Sequence, residues 1–482
     1  MSELTPTAPP AAPGRSGEPG LRGSIGVVGI VFLVVAAAAP LTAIGGALPV
    51  MLAIGNGAGS PMAYVVATVV LLCFSVGYAA MSRHVVDAGA FYAYVSKGLG
   101  TPVGVGAAGL ALLTYTAIQA AIYGLAGATA QGLSTRYGGP DLPWWVWALL
   151  LMAVVGLLGY RNIDVGAKVL GVLLTLEIAV IAVIAVAVLV QGGAEGIDLR
   201  SFTPSAFSSG APGISIMFAI ASFIGFEATA IYGEEARNPR RTVPVATYLA
   251  VVLIGAFYAL SSWAIVLAFG SGAVVAAAQA DTAGLVFTAA AQYVAPVVAD
   301  VMVVLLLTSL FAALLAFHNA ISRYLFALGR QGMAPEVLSR THVRHTSPHV
   351  GSLAQTASAF VVVAVFAVAG SDPVLQLFTW MSGLATVSIL LLMVLTSVAV
   401  LAFFARSRVD RRIWHTRVAP ALGTVGLLGV VGLVLANFTT LISGSATLAA
   451  VLLAVIAAAF ALGVAVALTR RPRPAPDLAG GA

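Results

Sequence analysis

The sequence predicts an all-α integral membrane protein of about 12 transmembrane helices, with the N- and C-termini on the cytoplasmic side. Three observations predict this. The 482-residue chain is 60% hydrophobic and 8% charged, against roughly 25% charged in soluble domains, and its mean hydropathy is +1.03. Twelve segments approach or exceed the roughly 20 apolar residues that a spanning helix needs. Laid out in order, they put 21 of the 23 lysines and arginines on one side of the bilayer, the bias that marks cytoplasmic loops.

The segments run over 24–54, 61–82, 88–134, 144–160, 165–190, 212–233, 243–269, 293–329, 351–369, 374–405, 418–438 and 443–468. The third and eighth exceed a simple span and extend beyond the bilayer. The short fourth starts with Trp144, Trp145 and Trp147, an aromatic anchor at the membrane interface. Only Arg136 and Arg200 fall on the outer side. A missed or extra helix in the middle would scramble this asymmetry. The charge of +6 is therefore an orientation signal, and no nucleic acid is expected as a partner.

Residues 1–22 are rich in Pro, Gly and Ala without a signal-type apolar core, and read as a disordered cytoplasmic N-terminal tail. Residues 470–482 read as a cytoplasmic C-terminal tail. The single cysteine, Cys73, lies in an apolar run and excludes an intrachain disulfide or a Cys-rich metal site. The outer connections are too short for a receptor ectodomain. No Gly-rich phosphate loop with its lysine is present, so ATP is not the expected energy source. No cofactor, metal or catalytic residue is expected, and the lipid bilayer is the one structural partner.

Two helices carry expensive interruptions. The first reaches Pro40-Leu41-Thr42-Ala43-Ile44-Gly45-Gly46, where proline removes a helix hydrogen bond and adjacent glycines loosen the chain. A kink alone would be the ordinary explanation. The sixth, however, carries Ser222-Phe223-Ile224-Gly225-Phe226-Glu227, an acid inside an apolar run. Paired breaks at corresponding places point to a substrate site, because unwound backbone exposes N–H groups to a carboxylate and carbonyls to an ammonium.

These stretches resemble the amino acid–polyamine–organocation (APC) superfamily of permeases. The sixth-helix run with Glu234-Glu235-Ala236-Arg237-Asn238-Pro239-Arg240-Arg241-Thr242-Val243-Pro244 looks like that family's sixth helix and following loop. Ala88-Gly89-Ala90-Phe91-Tyr92-Ala93-Tyr94 with Gly98-Leu99-Gly100 is similar to the start of its third helix. Arg323-Tyr324-Leu325-Phe326-Ala327-Leu328-Gly329-Arg330-Gln331-Gly332 with Pro335 is similar to the end of its eighth.

The resemblance covers roughly residues 22–470. It implies a LeuT-type 5+5 inverted repeat working by alternating access: residues 23–190 and 212–405 as the five-helix repeats, and 418–468 as two additional helices. It also implies that main-chain groups of helices one and six hold the substrate, here at Ala39, Pro40, Leu41, Thr42 and Ala43 and at Ser222, Phe223, Gly225 and Phe226. The chain departs from the family in three places. Thr42-Ala43-Ile44 replaces a Gly-Ser/Ala-Gly run, and Ala221 stands where some arginine-exchanging relatives have a lid tryptophan, which leaves Phe223 or Phe226 for aromatic gating. Glu177, not lysine, is the ionisable group in the middle of helix five.

An ionised Glu227 in the bilayer centre costs a few kcal/mol, so it is the leading candidate for proton coupling, with Glu177 and His318 as further candidates. The competing explanation for each is a hydrogen bond that bridges helices, and for His318 that explanation carries more weight. Tyr115, Gln119 and Tyr123 share a face of helix three, lining either a cavity or a polar seam. Glu234, Glu235, Arg237, Arg240 and Arg241 read as inner-gate or solvated loop charges. The resulting expectation is a proton-coupled symporter of amino acids or related amines in the cytoplasmic membrane. The alternatives are an exchanger or polyamine permease and, from another class, a non-transporting sensor or scaffold subunit.

Overall fold

The computed structural model describes residues 25–85, 91–161, 167–342, 347–442 and 445–470. Both tails other than Arg470, the Ala88-Gly89-Ala90 run, Arg344 and the side chains of Lys168, Glu234 and Glu235 lie outside the described residues. The bundle is all-α. Its long helices are α1 (Val27–Ile54, interrupted), α2 (Gly57–Ser82), α3 (Thr101–Arg136), α4 (Trp144–Arg161) and α5 (Ala167–Gln191). The short α6 (Pro212–Ala221) is followed by α7 (Pro239–Phe269), α8 (Pro296–Arg330), α9 (His349–Val368), α10 (Pro373–Ser407), α11 (Trp414–Thr440) and α12 (Ala446–Thr469).

Among the described residues, 11 helices are long and apolar enough to cross a membrane. The expected sixth span is not one of them. It is a 10-residue helix, an irregular stretch over 222–227, and a short helix, Ala228–Ile231. A pair of helices, Val274–Ala280 and Leu285–Tyr293, bent by 116°, fills the connection between α7 and α8, and the count becomes 12 if that pair is one span. Hydropathy marked the apolar stretch but not its loss of helix, which falls on the Ser222 to Glu227 run that carries Gly225.

Helix starts follow local chemistry. Proline stands in the first turn of α3, α6, α7, α8 and α10, where its missing N–H has no intrahelical partner to lose. Asp372 caps α10 by accepting from the Val374 and Leu375 amides at 2.8 and 2.6 Å. The 36 residues of α3 extend about 54 Å, beyond the hydrocarbon layer, as its length predicts.

Helix α3 is the central post, packed against α4, α8, α10 and α12, while α2 lies against α7 and α11, and α1 against α7 and α8. Close helix crossings use small residues. A Cβ on Gly463 of α12 would lie 2.3 Å from the Val105 carbonyl oxygen of α3, and one on Gly109 would lie 2.4 Å from that of Ala459. Gly463→Val is expected to lower stability by about 1–3 kcal/mol through this overpacking, read as a lower melting temperature in detergent.

At the α10–α11 connection, the Asp410 carboxylate receives Arg412 Nε and Nη2, the latter at 2.6 Å. These hydrogen bonds pull its pKa down to about 2. The pair therefore contributes stability above the ordinary aspartate range and loses it as pH falls from about 4 towards 2. Because Arg412 is 45% exposed, Asp410→Asn is expected to cost at most about 1 kcal/mol at neutral pH, and most of that cost should be gone in melts at pH 2.

Candidate substrate site

The first break falls one residue before the proline. Helix α1 runs regularly from Val27 to Ala38, then Ala39 turns left-handed at φ 47°, ψ 73°. Pro40 opens the next helical turn, and Gly45 and Gly46 lie in a π-helical turn over Ala43–Ala47. The residue before a proline is pushed out of the right-handed helical region by the ring. An alanine held left-handed costs roughly 1–2 kcal/mol, so the strain sits in the backbone at Ala39 rather than at the glycines.

The second break spans Ser222 to Glu227. Its amides bond three residues back, Phe223 to Ile220, Ile224 to Ala221, Phe226 to Phe223 and Ala228 to Gly225, and Gly225 sits at φ 111°. A side chain there would come within 3.0 Å of the Ala37 Cβ. The two breaks therefore touch.

Glu227 is fully buried and folds back on its own break. Its Oε1 accepts the Tyr115 hydroxyl at 2.8 Å, and its Oε2 accepts the Gly225 amide at 3.0 Å. The Tyr78 hydroxyl donates to the Glu227 carbonyl at 3.0 Å. Tyr258 of α7 places its hydroxyl 3.0 Å from the Ala38 carbonyl oxygen and 3.2 Å from that of Ser222. Three tyrosines on α2, α3 and α7 thus hold the irregular backbone. Tyr78 and Tyr258 were missed by sequence reasoning. The available signal was a phenol in an apolar run, since a buried tyrosine hydroxyl usually finds a partner.

The other candidates separate. Glu177 of α5 is buried and lies beside the Leu41 backbone and Ser309 of α8, next to the first break, with Oε2 lacking a hydrogen-bond partner. His318 does not join these groups. Its Nε2 pairs with Ser352 Oγ of α9 at 2.7 Å, and Gly159 of α4 packs against its ring. Gln119 donates to the Leu314 carbonyl at 3.1 Å and pairs with Gln355, so the helix-three face divides: Tyr115 reaches the break, while Gln119 belongs to a polar seam with α8 and α9. Phe223 meets Tyr258 edge-on at 5.8 Å, and Phe226 meets Phe74 at 6.1 Å.

The two interrupted helices are clipped together at both ends. At one end, Asn56 N donates to Ser215 Oγ at 2.9 Å and Ala211 N to the Gly55 carbonyl at 3.0 Å. At the opposite end, Arg237 N donates to the Ile25 carbonyl at 3.0 Å. Thr42, Ala43, Leu41 and Pro40 all follow the Ala39 turn, and Ser222 caps α6. The nine positions expected to bind substrate therefore lie in or beside the two breaks.

The family described as Amino acid permease matches residues 29–474, nearly the whole helical chain. The chain belongs to the amino acid permease family, within the APC superfamily. Proteins similar to this chain include the Branched-chain amino acid permease BcaP of Lactococcus lactis, 27% identical over 60% of this chain and 64% of that one. The Low-affinity putrescine importer PlaP of Escherichia coli is 25% identical over 57% of this chain and 60% of its own. The Aromatic amino acid transport protein AroP of Escherichia coli is 29% identical over 45% and 48%. The matches span about half to two thirds of these relatives' lengths. The chain is a multi-pass membrane protein of a transporter family, not an enzyme family.

Proposed function

We propose that the permease is a secondary transporter that carries amino acids or related amines across the cytoplasmic membrane by alternating access, with proton symport. The observation that carries this reading is the pair of touching breaks with Glu227 bonded to Tyr115 and to the Gly225 amide. Irregular backbone at membrane depth is tolerated where it lines a cavity or binds a ligand. Half-helix C-termini offer carbonyls to an ammonium, and the start of the Pro40 turn offers amides to a carboxylate. Glu227 couples by exchanging a proton as the break opens. In this reading, residues 23–190 and 212–405 form the inverted LeuT-type repeats, with both termini cytoplasmic. His318 acts as a bridge between α8 and α9.

Uptake of radiolabelled leucine, phenylalanine and putrescine into proteoliposomes, with and without an inward proton gradient, tests this. Gradient-stimulated uptake of one of them is expected. Uptake only against an internal amino acid would make the protein an exchanger, and failure to move or bind any amine would favour the sensor or scaffold reading. A polyamine substrate is the second reading, favoured by one buried carboxylate at each break, Glu177 and Glu227. Two anions suit a dication, and similarity to a putrescine importer is compatible with it. Competition decides: putrescine should then block uptake better than leucine, and Glu177→Gln should weaken putrescine more than leucine.

A further inference from the structure

We propose that the Tyr258 hydroxyl is the placeholder at the amine end of the substrate site. Its hydroxyl ties together the carbonyls of the two breaks, and the incoming amino group takes its place. This rests on the amine-transport reading above. Ala38 ends the first half of α1, and Ser222 caps α6. Each is a half-helix C-terminus, where carbonyls carry partial negative charge. The amide that would serve the Ser222 carbonyl in a regular helix, that of Phe226, bonds to Phe223 instead.

Both carbonyls converge on one phenol, at 3.0 and 3.2 Å. A phenol brings one proton. Two acceptors of the same sign therefore share a single donor, which leaves a demand that an ammonium with three N–H donors meets more fully. The ring is held independently of that proton, against Tyr64 at 5.2 Å and Phe223 at 5.8 Å. Position and hydrogen bonding can thus be separated. Without substrate, the hydroxyl joins the two half-helices; with the amine bound, it lets them go, so occupancy and movement of the breaks share one proton.

Tyr258→Phe keeps the ring and removes the proton. In a Cys73→Ser, Thr42→Cys background, with no substrate, adding Tyr258→Phe should let N-ethylmaleimide label the position-42 thiol up to about tenfold faster, because the tie is gone. With Thr42 intact, Tyr258→Phe should tighten leucine binding several-fold by removing its competitor, and leave binding of 4-methylpentanoate, which is leucine without its amino group, unchanged. Replacement of Tyr258 by p-aminophenylalanine supplies two N–H donors for two carbonyls. It should slow labelling and weaken leucine, which tests the same idea in the opposite direction should the Tyr258→Phe variant not fold. Equal labelling rates in folded proteins, or equal shifts for leucine and 4-methylpentanoate, would overturn the proposal. Absence of leucine binding to the unsubstituted protein counts against the amino acid reading, and the labelling rates then decide the role of Tyr258 separately.

Discussion

Glu227→Gln is expected to abolish the stimulation of uptake by a proton gradient while leaving exchange of substrate across the membrane measurable. The two carboxylate oxygens accept from Tyr115 and from the Gly225 amide. A glutamine offers one oxygen and one NH2, so only one of these two buried donors keeps its acceptor. A buried donor left unpaired costs about 1–3 kcal/mol, which reads as a lower melting temperature. The functional loss is separate from that cost, because glutamine cannot carry a proton at any pH near neutrality. Initial rates in proteoliposomes, driven by a pH gradient and separately by counterflow, check both parts. Gradient-driven uptake equal to that of the unsubstituted protein would remove Glu227 from the coupling role. Tyr115→Phe removes one of the two donors and should shift the pH dependence of uptake without abolishing it.

Gly225→Ala should impair transport by a different route, through the backbone. At φ 111°, an L-residue sits in a backbone region that costs about 1–3 kcal/mol, and the added Cβ meets the Ala37 Cβ at 3.0 Å. Strain and contact act together where the two breaks touch. The amide that bonds Glu227 belongs to this same residue, so any relaxation moves the carboxylate's partner as well. Uptake is expected to fall by about tenfold or more, the equivalent of about 1.4 kcal/mol, with a parallel loss of melting temperature. Gly429→Ala is the comparison, since nothing lies within 4 Å of a Cβ there; it should stay within about 0.5 kcal/mol of the unsubstituted protein. Similar behaviour of the two variants would show that the conformation at Gly225 is not needed.

The break residues were legible because proline, glycine and a buried acid are local signals. Pro40 and Gly225 announced their helices' interruptions from their own covalent chemistry. The position of the first break was read less exactly. Proline and the glycine pair marked the stretch 40–46 together, yet Gly45 and Gly46 are helical and Ala39 carries the strain, since a proline acts on the residue before it. His318 illustrates the opposite case. An intramembrane histidine looks the same in sequence whether it faces a break or a serine on the neighbouring helix.

By itself the sequence determined an all-α membrane bundle, the long apolar spans and the two stretches where helix gives way. Hydropathy, spacing and backbone preference act over a few neighbouring residues, and they are complete before the chain folds. Tertiary structure decided which groups satisfy the exposed backbone: Tyr78 and Tyr115 at Glu227, Tyr258 between Ala38 and Ser222, and Glu177 beside Leu41. Those partners come from a different helix in every case. A hydrogen bond of about 3 Å depends on helix rotation and crossing, which no local pattern encodes.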